Sequence, residues 1–406
     1  MSDTANCQTC PEAPEHRLPT ANVESTTGNR QPGTGNRLLI GIDASRSVVA
    51  QRTGTENYSL FLIRALLKLD TRNRYRLYFN AAPAPNLFPP AGNVEMCCLP
   101  FPRLWTHVRL SWEMATRPPD VLFVPAHVLP IVHPRRSVVT VHDLGYLYYP
   151  QAHTRWSRAY LRWSTCYNAR SAAHVIADSQ VTQRDLLQHC QAAPARVSVV
   201  YPGCDSNPSF RGESEAAAIL ERYGIPKPYV IYVGTLQPRK NLGRLLDAFA
   251  QAIGAKGSAT HLAIVGKPGW LFQPLFTQVQ QLGLDKRVHF TGYVPQEDLT
   301  ALLQYAQAFV LPSLYEGFGL PVLEAMACGT PVICSNASSL PEVAGDAAIL
   351  VDPQDTAQLA QALLCVLQDA ELRRDLSQRG LRQAKRFPWE ECARQTLEVL
   401  QAVGAS

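Results

Sequence analysis

Short apolar runs alternate with amphipathic segments along most of this chain, and this alternation limits the possible folds more than any other feature. The first run, 38–42, precedes a segment with helical spacing, 58–69. Strands that alternate with helices form βαβ units, in which the strands are parallel and buried. The further runs predicted as strands are 75–79, 121–124, 138–141, 175–177, 197–200, 229–233, 262–265, 288–290, 308–311, 331–334 and 348–351.

A polar stretch at 205–215 interrupts the pattern, which then restarts. A chain of 406 residues, 46% of them hydrophobic, has enough apolar material for two separate cores. We therefore predict an α/β protein with two doubly wound, Rossmann-like domains, 37–210 and 211–385, that face each other across a cleft. Residues 386–406 are predicted to form a helix that packs back toward the junction. Ligands of such sheets bind at the carboxyl ends of the strands, so we expect the chemistry in the cleft.

The start of the chain is polar and lacks apolar periodicity, so we expect a disordered leader at 1–36. No stretch approaches the roughly 18 apolar residues of a membrane span, and the start does not resemble a secretory signal. A cytoplasmic protein with reduced cysteines is therefore expected. Cys7 and Cys10 form a CxxC without a second pair of metal ligands, so we predict no metal site.

The net charge of +5 is distributed unevenly. Residues 1–210 carry 21 Lys and Arg against 14 Asp and Glu, a charge of +7, and residues 211–406 carry −2. This asymmetry favours an anionic partner near the first half, such as lipid headgroups at the inner face of a membrane or a phosphorylated acceptor. Scattered, solvated arginines are the alternative explanation. No nucleic-acid partner is predicted.

The segment 313–331, which follows a predicted strand, reads SLYEGFGLPVLEAMACGTP. Glu316 lies in a loop loosened by Gly317 and Gly319, and Glu324 is predicted in the first turn of the helix that follows. Free N–H groups at that helix start suit a phosphate, and a nearby carboxylate suits the two hydroxyls of a ribose. Alternatively, Glu324 complements the helix dipole and Glu316 is solvated.

A second polar loop, 234–242, follows the predicted strand 229–233. Gly234 permits close approach of the backbone, and Arg239 and Lys240 are adjacent cations at the expected mouth of the cleft. An arginine fork can hold two oxygens while a lysine adds a point charge, so the pair suits a diphosphate without a metal. Two exposed loop cations are the alternative. The spacing is not that of a GxxxxGK[ST] phosphate loop.

The first half of the chain offers further candidates. Residues 53–56 read as a capping box, which places the Gly54 amide at a helix start, although capping alone would explain the threonine and the glutamate. His142 follows a strand and is predicted to point into the cleft, with a structural histidine as the alternative. Ser179 and Thr182 are predicted only to begin a helix.

Aromatic and basic residues are interleaved over 146–163. Trp156, Tyr160 and Trp163 have the spacing of one helix face, which favours packing against the core. The alternative is contact with an anionic membrane or with an acceptor, because arginines lie between the aromatic residues.

Glu316, seven intervening residues and Glu324, within EGFGLPVLEAMACGTPV, closely resemble the motif of family 4 retaining glycosyltransferases with the GT-B fold. The resemblance covers about 38–400 and includes the loop 234–240 and the segments 290–294 and 340–343. It implies metal-independent transfer of a hexose from a nucleotide diphosphate sugar to a hydroxyl of a glycan or lipid-linked acceptor, with no cofactor. Similarity to polysaccharide-building relatives favours mannose or glucose, with GDP-mannose ahead of UDP-glucose.

The resemblance also implies roles for single residues. Glu316 would contact the donor sugar, Glu324 would bind the ribose, and Arg239 and Lys240 would neutralise the diphosphate. His142 is similar to the histidine that the family places near the anomeric carbon. The implied donor-binding set comprises Gly54, Gly234, Arg239, Lys240, Tyr293 beside the base, Glu316, Gly317, Phe318, Gly319, Leu320 and Glu324.

One departure from the family and two rival functions stay open. Many relatives have two adjacent glycines after the first strand, whereas this chain has Gly54 followed by Thr55. A non-hydrolysing nucleotide-sugar epimerase would also use paired α/β domains. A non-catalytic nucleotide-sugar-binding protein is the second rival, although the intact glutamate pair favours catalysis.

Overall fold

The computed structural model describes most of the chain beyond the predicted leader. That leader, 1–36, lies outside the described residues together with Cys7 and Cys10. The described ranges are 37–89, 91–126, 128–150, 154–205, 208–254, 258–269 and 272–406.

Seven parallel strands form the first sheet, in the order β3-β2-β1-β4-β5-β6-β7. Buried apolar side chains cover both of its faces, which is why its strands read as apolar runs in the sequence. The strands are β1 Leu39–Asp43, β2 Arg74–Phe79, β3 Val94–Cys98, β4 Val121–Val124, β5 Ser137–Val141, β6 His174–Ala177 and β7 Val197–Val199. The helices are α1 Gly54–Leu69, α2 Ser111–Thr116, α3 Gly145–Tyr148, α4 Arg155–Ser171 and α5 Gln180–Cys190.

Six parallel strands form the second sheet, in the order β10-β9-β8-β11-β12-β13, around a core of its own. The strands are β8 Tyr229–Val233, β9 His261–Val265, β10 Val288–Gly292, β11 Ala308–Leu311, β12 Val332–Ser335 and β13 Ala348–Val351. The helices are α6 Glu213–Arg222, α7 Leu242–Gly254, α8 Gln273–Gln281, α9 Gln296–Gln304, α10 Leu320–Ala327, α11 Leu340–Ala344, α12 Thr356–Gln368, α13 Ala370–Ala384 and α14 Trp389–Ala405.

The prediction of two parallel-sheet α/β domains is confirmed. The structure adds one strand to those predicted, β3, which pairs with β2 at an edge of the first sheet. Three of its five residues are exposed, so β3 lacks the apolar run that marks the buried strands. The predicted boundary at 210/211 falls between β7 and α6, and the boundary at 385/386 falls between α13 and α14.

The helix α14 leaves the second domain and packs against α1 of the first. Cys392, Ala393, Leu400 and Val403 belong to the apolar core on that face of the first sheet. The sequence predicted a helix that packs back toward the junction between the domains. In the structure α14 extends beyond the junction and completes the core of the first domain.

Three aromatic residues of α4, Trp156, Tyr160 and Trp163, do not pack in the core. Trp156 is 88% exposed, and Tyr160 and Trp163 are about half exposed. The prediction that their spacing reflects core packing is wrong for these three residues, because α4 buries a different face through Ser164, Thr165, Asn168 and Ala169.

Candidate active site

Loops from the two sheets meet where β5 and β11 end. The Thr182 hydroxyl, in the first turn of α5, lies 3.3 Å from the carbonyl oxygens of both His142 and Gly317. His142 follows β5, and Gly317 lies in the loop after β11. The carboxyl ends of both sheets therefore face one another, which is where ligands of open α/β sheets bind.

A carboxylate and two cations form the centre of this meeting point. Lys240 Nζ lies 2.5 Å from one oxygen of Glu316, and Arg239 donates to the other at 3.2 Å. Arg239 also donates to the Tyr315 carbonyl at 2.8 Å. Residues 77 positions apart in the chain thus share one buried cluster, because the loops after β8 and β11 leave neighbouring strands.

The charges of this cluster influence one another strongly. Burial alone would raise the pKa of Glu316, but Lys240 and Arg239 lower it to about 2. Burial also acts on Arg239, yet Glu316 raises the pKa of that guanidinium above its ordinary value. For Lys240 the burial outweighs Glu316 and lowers the pKa of the ammonium. Glu316 is therefore ionised throughout the physiological pH range and accepts hydrogen bonds without donating them.

The loop that carries Glu316 is held in a tight seam between the domains. A Cβ at Gly317 would lie 2.0 Å from the His142 carbonyl oxygen, so a residue with a side chain does not fit there. The Ser339 hydroxyl lies 2.9 Å from the Glu316 carbonyl and 2.8 Å from the Phe318 carbonyl. The backbone of this loop is thus fixed from both domains.

Glu324 lies on α10, which begins at Leu320 after Gly319 with a φ of 110°. It therefore stands at the start of the second turn of the helix, and the prediction of the first turn is wrong by one residue. The side chain is partly exposed, and burial raises its pKa to about 7, although a hydrogen bond with Gln296 opposes the shift. In the described part of the chain, no hydrogen bond connects Glu324 to Arg239 or Lys240.

The start of α1 faces the start of α10 across the cleft. The predicted capping box is confirmed, since the Glu56 carboxylate accepts from the Thr53 amide at 3.0 Å. A Cβ at Gly54 would lie 3.9 Å from Leu320 Cδ1. Two helix N-termini, each with a partial positive charge, therefore face one another, and α10 begins four residues after Glu316.

A predicted loop glycine, Gly234, and the predicted Tyr293 lie along the same edge of the second sheet. Gly234 follows β8 with a φ of 155°, and a Cβ there would lie 2.8 Å from the Tyr232 hydroxyl. Tyr293 follows β10, and Lys267 Nζ lies 5.1 Å from the centre of its ring. Lys267 also donates to the Gln51 carbonyl of the first domain at 2.7 Å. The loops after β8, β9 and β10 thus all border the seam.

Both ring nitrogens of His142 have partners inside the first domain. Nδ1 lies 2.5 Å from an Asp178 carboxylate oxygen, and Nε2 lies 2.9 Å from the Pro125 carbonyl. Burial alone would lower the pKa of His142, but Asp178, Asp143 and the Pro125 carbonyl raise it. Both partner oxygens accept hydrogen bonds when Asp178 is ionised, which favours the protonated ring, while burial raises the pKa of Asp178 as well. Its main-chain carbonyl, rather than a ring nitrogen, contacts the second domain at Gly317.

The sequence reasoning missed several residues at this seam. Asp143 lies 4.0 Å from Arg239, and Asp185 accepts from Tyr148 at 2.6 Å and from Tyr315 at 2.7 Å. Thr182, predicted only to start a helix, also contacts both domains. The position of Asp178 directly after β6 was a usable signal, because β6 pairs with the strand that precedes His142.

Family models match both halves of the chain. Residues 52–207 match the model described as Glycosyltransferase Family 4, and residues 218–383 match the model described as Glycosyl transferases group 1. The first match covers every strand of the first sheet except β1, and the second covers the whole second sheet, including the loops that carry Arg239, Lys240 and Glu316.

Individual proteins agree with these matches. The O-antigen chain mannosyltransferase B of Escherichia coli is 36% identical over 263 residues, which is 64% of this chain and 69% of that protein. The serotype-specific mannosyltransferase WbdA of Escherichia coli is 31% identical over 184 residues, which is 45% of this chain and 22% of that protein. The structure of Anabaena Alr3699/HepE in complex with UDP and glucose has a TM-score of 0.71 at 22% identity, covering 90% of this chain and 100% of that one.

Proposed function

The chain belongs to glycosyltransferase family 4 and is a hexosyltransferase. We propose that it transfers mannose, with retention of configuration, from GDP-mannose to a hydroxyl of a glycan or lipid-linked acceptor. The single observation that supports the reaction is the buried cluster of Glu316 with Arg239 and Lys240. The mannosyltransferase relatives support mannose as the sugar. UDP-glucose is the second donor to test, because HepE is described with UDP and glucose.

Stabilisation of the leaving diphosphate is the main catalytic contribution in this proposal. Arg239 and Lys240 lie at the cleft and supply two fixed positive charges, so the reaction needs no divalent ion. The N-termini of α1 and α10 add partial positive charge from both sides. Charge that develops on the departing diphosphate is then met by groups already in position, which is the largest source of catalysis in many enzymes.

Glu316 is proposed to hold the donor sugar by its hydroxyls. With a pKa of about 2 the carboxylate stays ionised and can accept two hydrogen bonds from neighbouring hydroxyls. The diphosphate attracts Arg239 and Lys240, which frees Glu316 oxygens for the sugar. We assign Glu316 no covalent role, because the acceptor itself attacks from the face that the leaving group vacates.

The remaining donor contacts follow the order of the loops along the second sheet. Glu324 on α10 is proposed to bind the ribose hydroxyls, and Tyr293 after β10 to border the base. Backbone groups of the donor-binding loops, at Gly54, Gly234, Gly317, Phe318, Gly319 and Leu320, are proposed to contact the phosphates and the sugar. His142 is proposed to border the anomeric carbon, with its ring held in place by Asp178.

The acceptor is proposed to approach from the first domain, in the cytoplasm at the inner face of the membrane. The excess of positive charge in residues 1–210 supports an anionic surface as the neighbour of that domain. A lipid-linked glycan would present its hydroxyl at the same surface.

A nucleotide screen tests the donor assignment. A ligand present at about one hundred times its dissociation constant stabilises the folded protein by about 2.7 kcal/mol, which a thermal-shift assay detects. We expect GDP and GDP-mannose to raise the melting temperature more than UDP, ADP or their sugars. A larger effect of UDP-glucose would contradict GDP-mannose.

Incubation of donor and enzyme without acceptor tests the reaction class. A transferase hydrolyses the donor slowly, whereas an epimerase converts its sugar into a stereoisomer. Conversion of the sugar, or nucleotide binding without transfer to any of a panel of acceptors, would contradict the proposal.

A further inference from the structure

An exposed face of the first domain combines aromatic side chains with arginines. We call it the aromatic–arginine face and define it by the segments 101–119, 128–137 and 154–171. Its most exposed apolar residues are Trp156, Leu104 at 68%, Trp112 at 67% and Ile131 at 60%. Such a concentration of exposed apolar side chains on one surface marks an interaction site.

Direct contacts connect the three segments into one surface. His107 Nε2 lies 2.8 Å from the Tyr160 hydroxyl, which joins the first segment to α4. The Tyr167 hydroxyl donates to the Pro130 carbonyl at 3.1 Å, which joins α4 to the second segment. The amide of Val132 donates to Ser111 at 3.3 Å and joins the second segment to the first.

The charge of the aromatic–arginine face is almost entirely positive. The three segments contain nine arginines and one acidic residue, Glu113. Glu113 is buried and accepts from Arg109 at 3.0 Å, so it does not neutralise the remaining arginines. Those are exposed: Arg103, Arg117, Arg135, Arg136, Arg155, Arg158, Arg162 and Arg170.

The charge of the aromatic–arginine face favours a bilayer over a protein partner. The first six residues of α4, 155–160, are all exposed. Arginine, tyrosine and tryptophan are enriched at protein interfaces as well as in the headgroup region of a membrane, so the residue types alone do not separate the two. The excess of exposed arginines, with Glu113 buried as the one acidic residue of the three segments, fits a continuous anionic lipid surface.

None of the helices within the described ranges combines the length and the apolar character that crossing a bilayer requires. We therefore infer that the aromatic–arginine face docks on the surface of an anionic phospholipid bilayer, with the aromatic rings among the headgroups and the arginines on lipid phosphates. The biological role of this docking rests on the proposed function, because the docked membrane would bring a lipid-linked acceptor to the first domain.

The face lies one short helix away from the cleft. α3 packs against α4 and carries Tyr148, whose ring stacks on Tyr315 at 5.1 Å between ring centres. Tyr315 directly precedes Glu316 in the loop of the candidate site. A lipid-linked acceptor on the docked membrane is thus close to the edge of the cleft.

Vesicle co-sedimentation tests the inference with the full chain. We expect the protein to sediment with vesicles of equimolar phosphatidylcholine and phosphatidylglycerol, to stay in solution with phosphatidylcholine alone, and to lose binding as salt is raised. The triple variant Arg155→Glu, Arg158→Glu and Arg162→Glu should bind at least about tenfold more weakly. Trp156→Ser should bind several-fold more weakly without affecting the fold, because this side chain is almost fully exposed.

A matched control reverses three exposed cations of the second domain, Arg374, Arg382 and Lys385 on and after α13, to glutamate. This control should bind the anionic vesicles like the unaltered chain. Equal loss in the control, or no binding of the unaltered chain, would overturn the inference. So would self-association of the chain that the α4 variants abolish while vesicle binding persists, or preferential binding of nucleic acid.

Donor binding measured without vesicles separates this inference from the proposed function. The α4 variants should retain the thermal shift with the donor nucleotide, because they lie outside the candidate site. Loss of vesicle binding with intact donor binding supports the membrane face. A chain that binds vesicles but no nucleotide sugar would contradict the proposed function and leave the docking result unaffected.

Discussion

The Tyr315 hydroxyl donates to Asp185 across the seam between the two domains at 2.7 Å. Asp185 belongs to α5 of the first domain, and its other oxygen accepts from Tyr148 at 2.6 Å. The carbonyl of Tyr315 accepts from Arg239, which also binds Glu316. Contact between the domains and the arrangement of the charged cluster are therefore connected through one residue.

Removing only the Tyr315 hydroxyl tests that connection. Tyr315→Phe loses a hydrogen bond to a charged acceptor, and we expect kcat to fall about tenfold. The affinity for the free nucleoside diphosphate should change little, because the hydroxyl lies on the first-domain side of the loop. Steady-state kinetics and nucleotide titration separate the two effects.

Tyr148→Phe is the matched control, since it removes a bond to the same carboxylate within the first domain. It should retain more activity than Tyr315→Phe. Equal losses in the two variants would mean that the connection across the seam has no special role.

Lys240 is expected to be needed for turnover. Lys240→Ala removes a cation that is proposed to stabilise the leaving diphosphate, and a loss of about 2 kcal/mol corresponds to about a thirtyfold lower kcat/KM. Lys286→Ala, at an exposed position between α8 and β10, is the control and should behave like the unaltered enzyme. Near-normal turnover of a folded Lys240→Ala variant would disprove the assigned role.

Donor binding should depend on pH through Glu324. Burial raises the pKa of this carboxyl to about 7, so a large fraction is protonated at about pH 6 and ionised at about pH 8. Only the ionised form accepts two hydrogen bonds from a ribose, so nucleotide affinity should increase as the pH rises through 7. Calorimetric titrations at several pH values measure this. Glu324→Gln should bind more weakly and with a flatter pH dependence.

The His142–Asp178 pair should stabilise the fold most below neutral pH. The pKa of His142 is raised in the folded state, so its contribution is fully present below about 6.5, the ordinary value. It is lost as the pH rises through the raised pKa of the folded state. Denaturant unfolding across this range should show the decline, and Asp178→Asn should remove it. A decline of equal size in the variant would mean that other groups cause it.

The strands could be predicted because a parallel strand with two covered faces must be apolar throughout. The strand β3 could not be predicted in this way, since its position at an edge of the sheet leaves Glu95 and Met96 exposed. The spacing of Trp156, Tyr160 and Trp163 was misread for a different reason. Helical periodicity shows that side chains share a face but does not say whether that face meets the core or the solvent.

The candidate site was predictable where residues lie close in sequence to a strand end, as for Glu316, Arg239 and Lys240. Partners that depend on strand register were missed. β5 and β6 pair with Val141 opposite Ala177, which places the following residues, His142 and Asp178, side by side. Tyr315 and Asp185 were missed because their contact depends on how the two domains pack, which no local pattern encodes.

The position of α14 has a consequence for biosynthesis. Leu400 and Val403 fill the core of the first domain, and a Cβ at Gly404 would lie 2.5 Å from a Leu38 methyl group beside β1. Domains usually fold in order as they emerge from the ribosome. Here the earlier domain cannot finish burying its apolar surface until residues 389–405 have emerged, so the nascent chain exposes a groove along α1 throughout synthesis of the later domain.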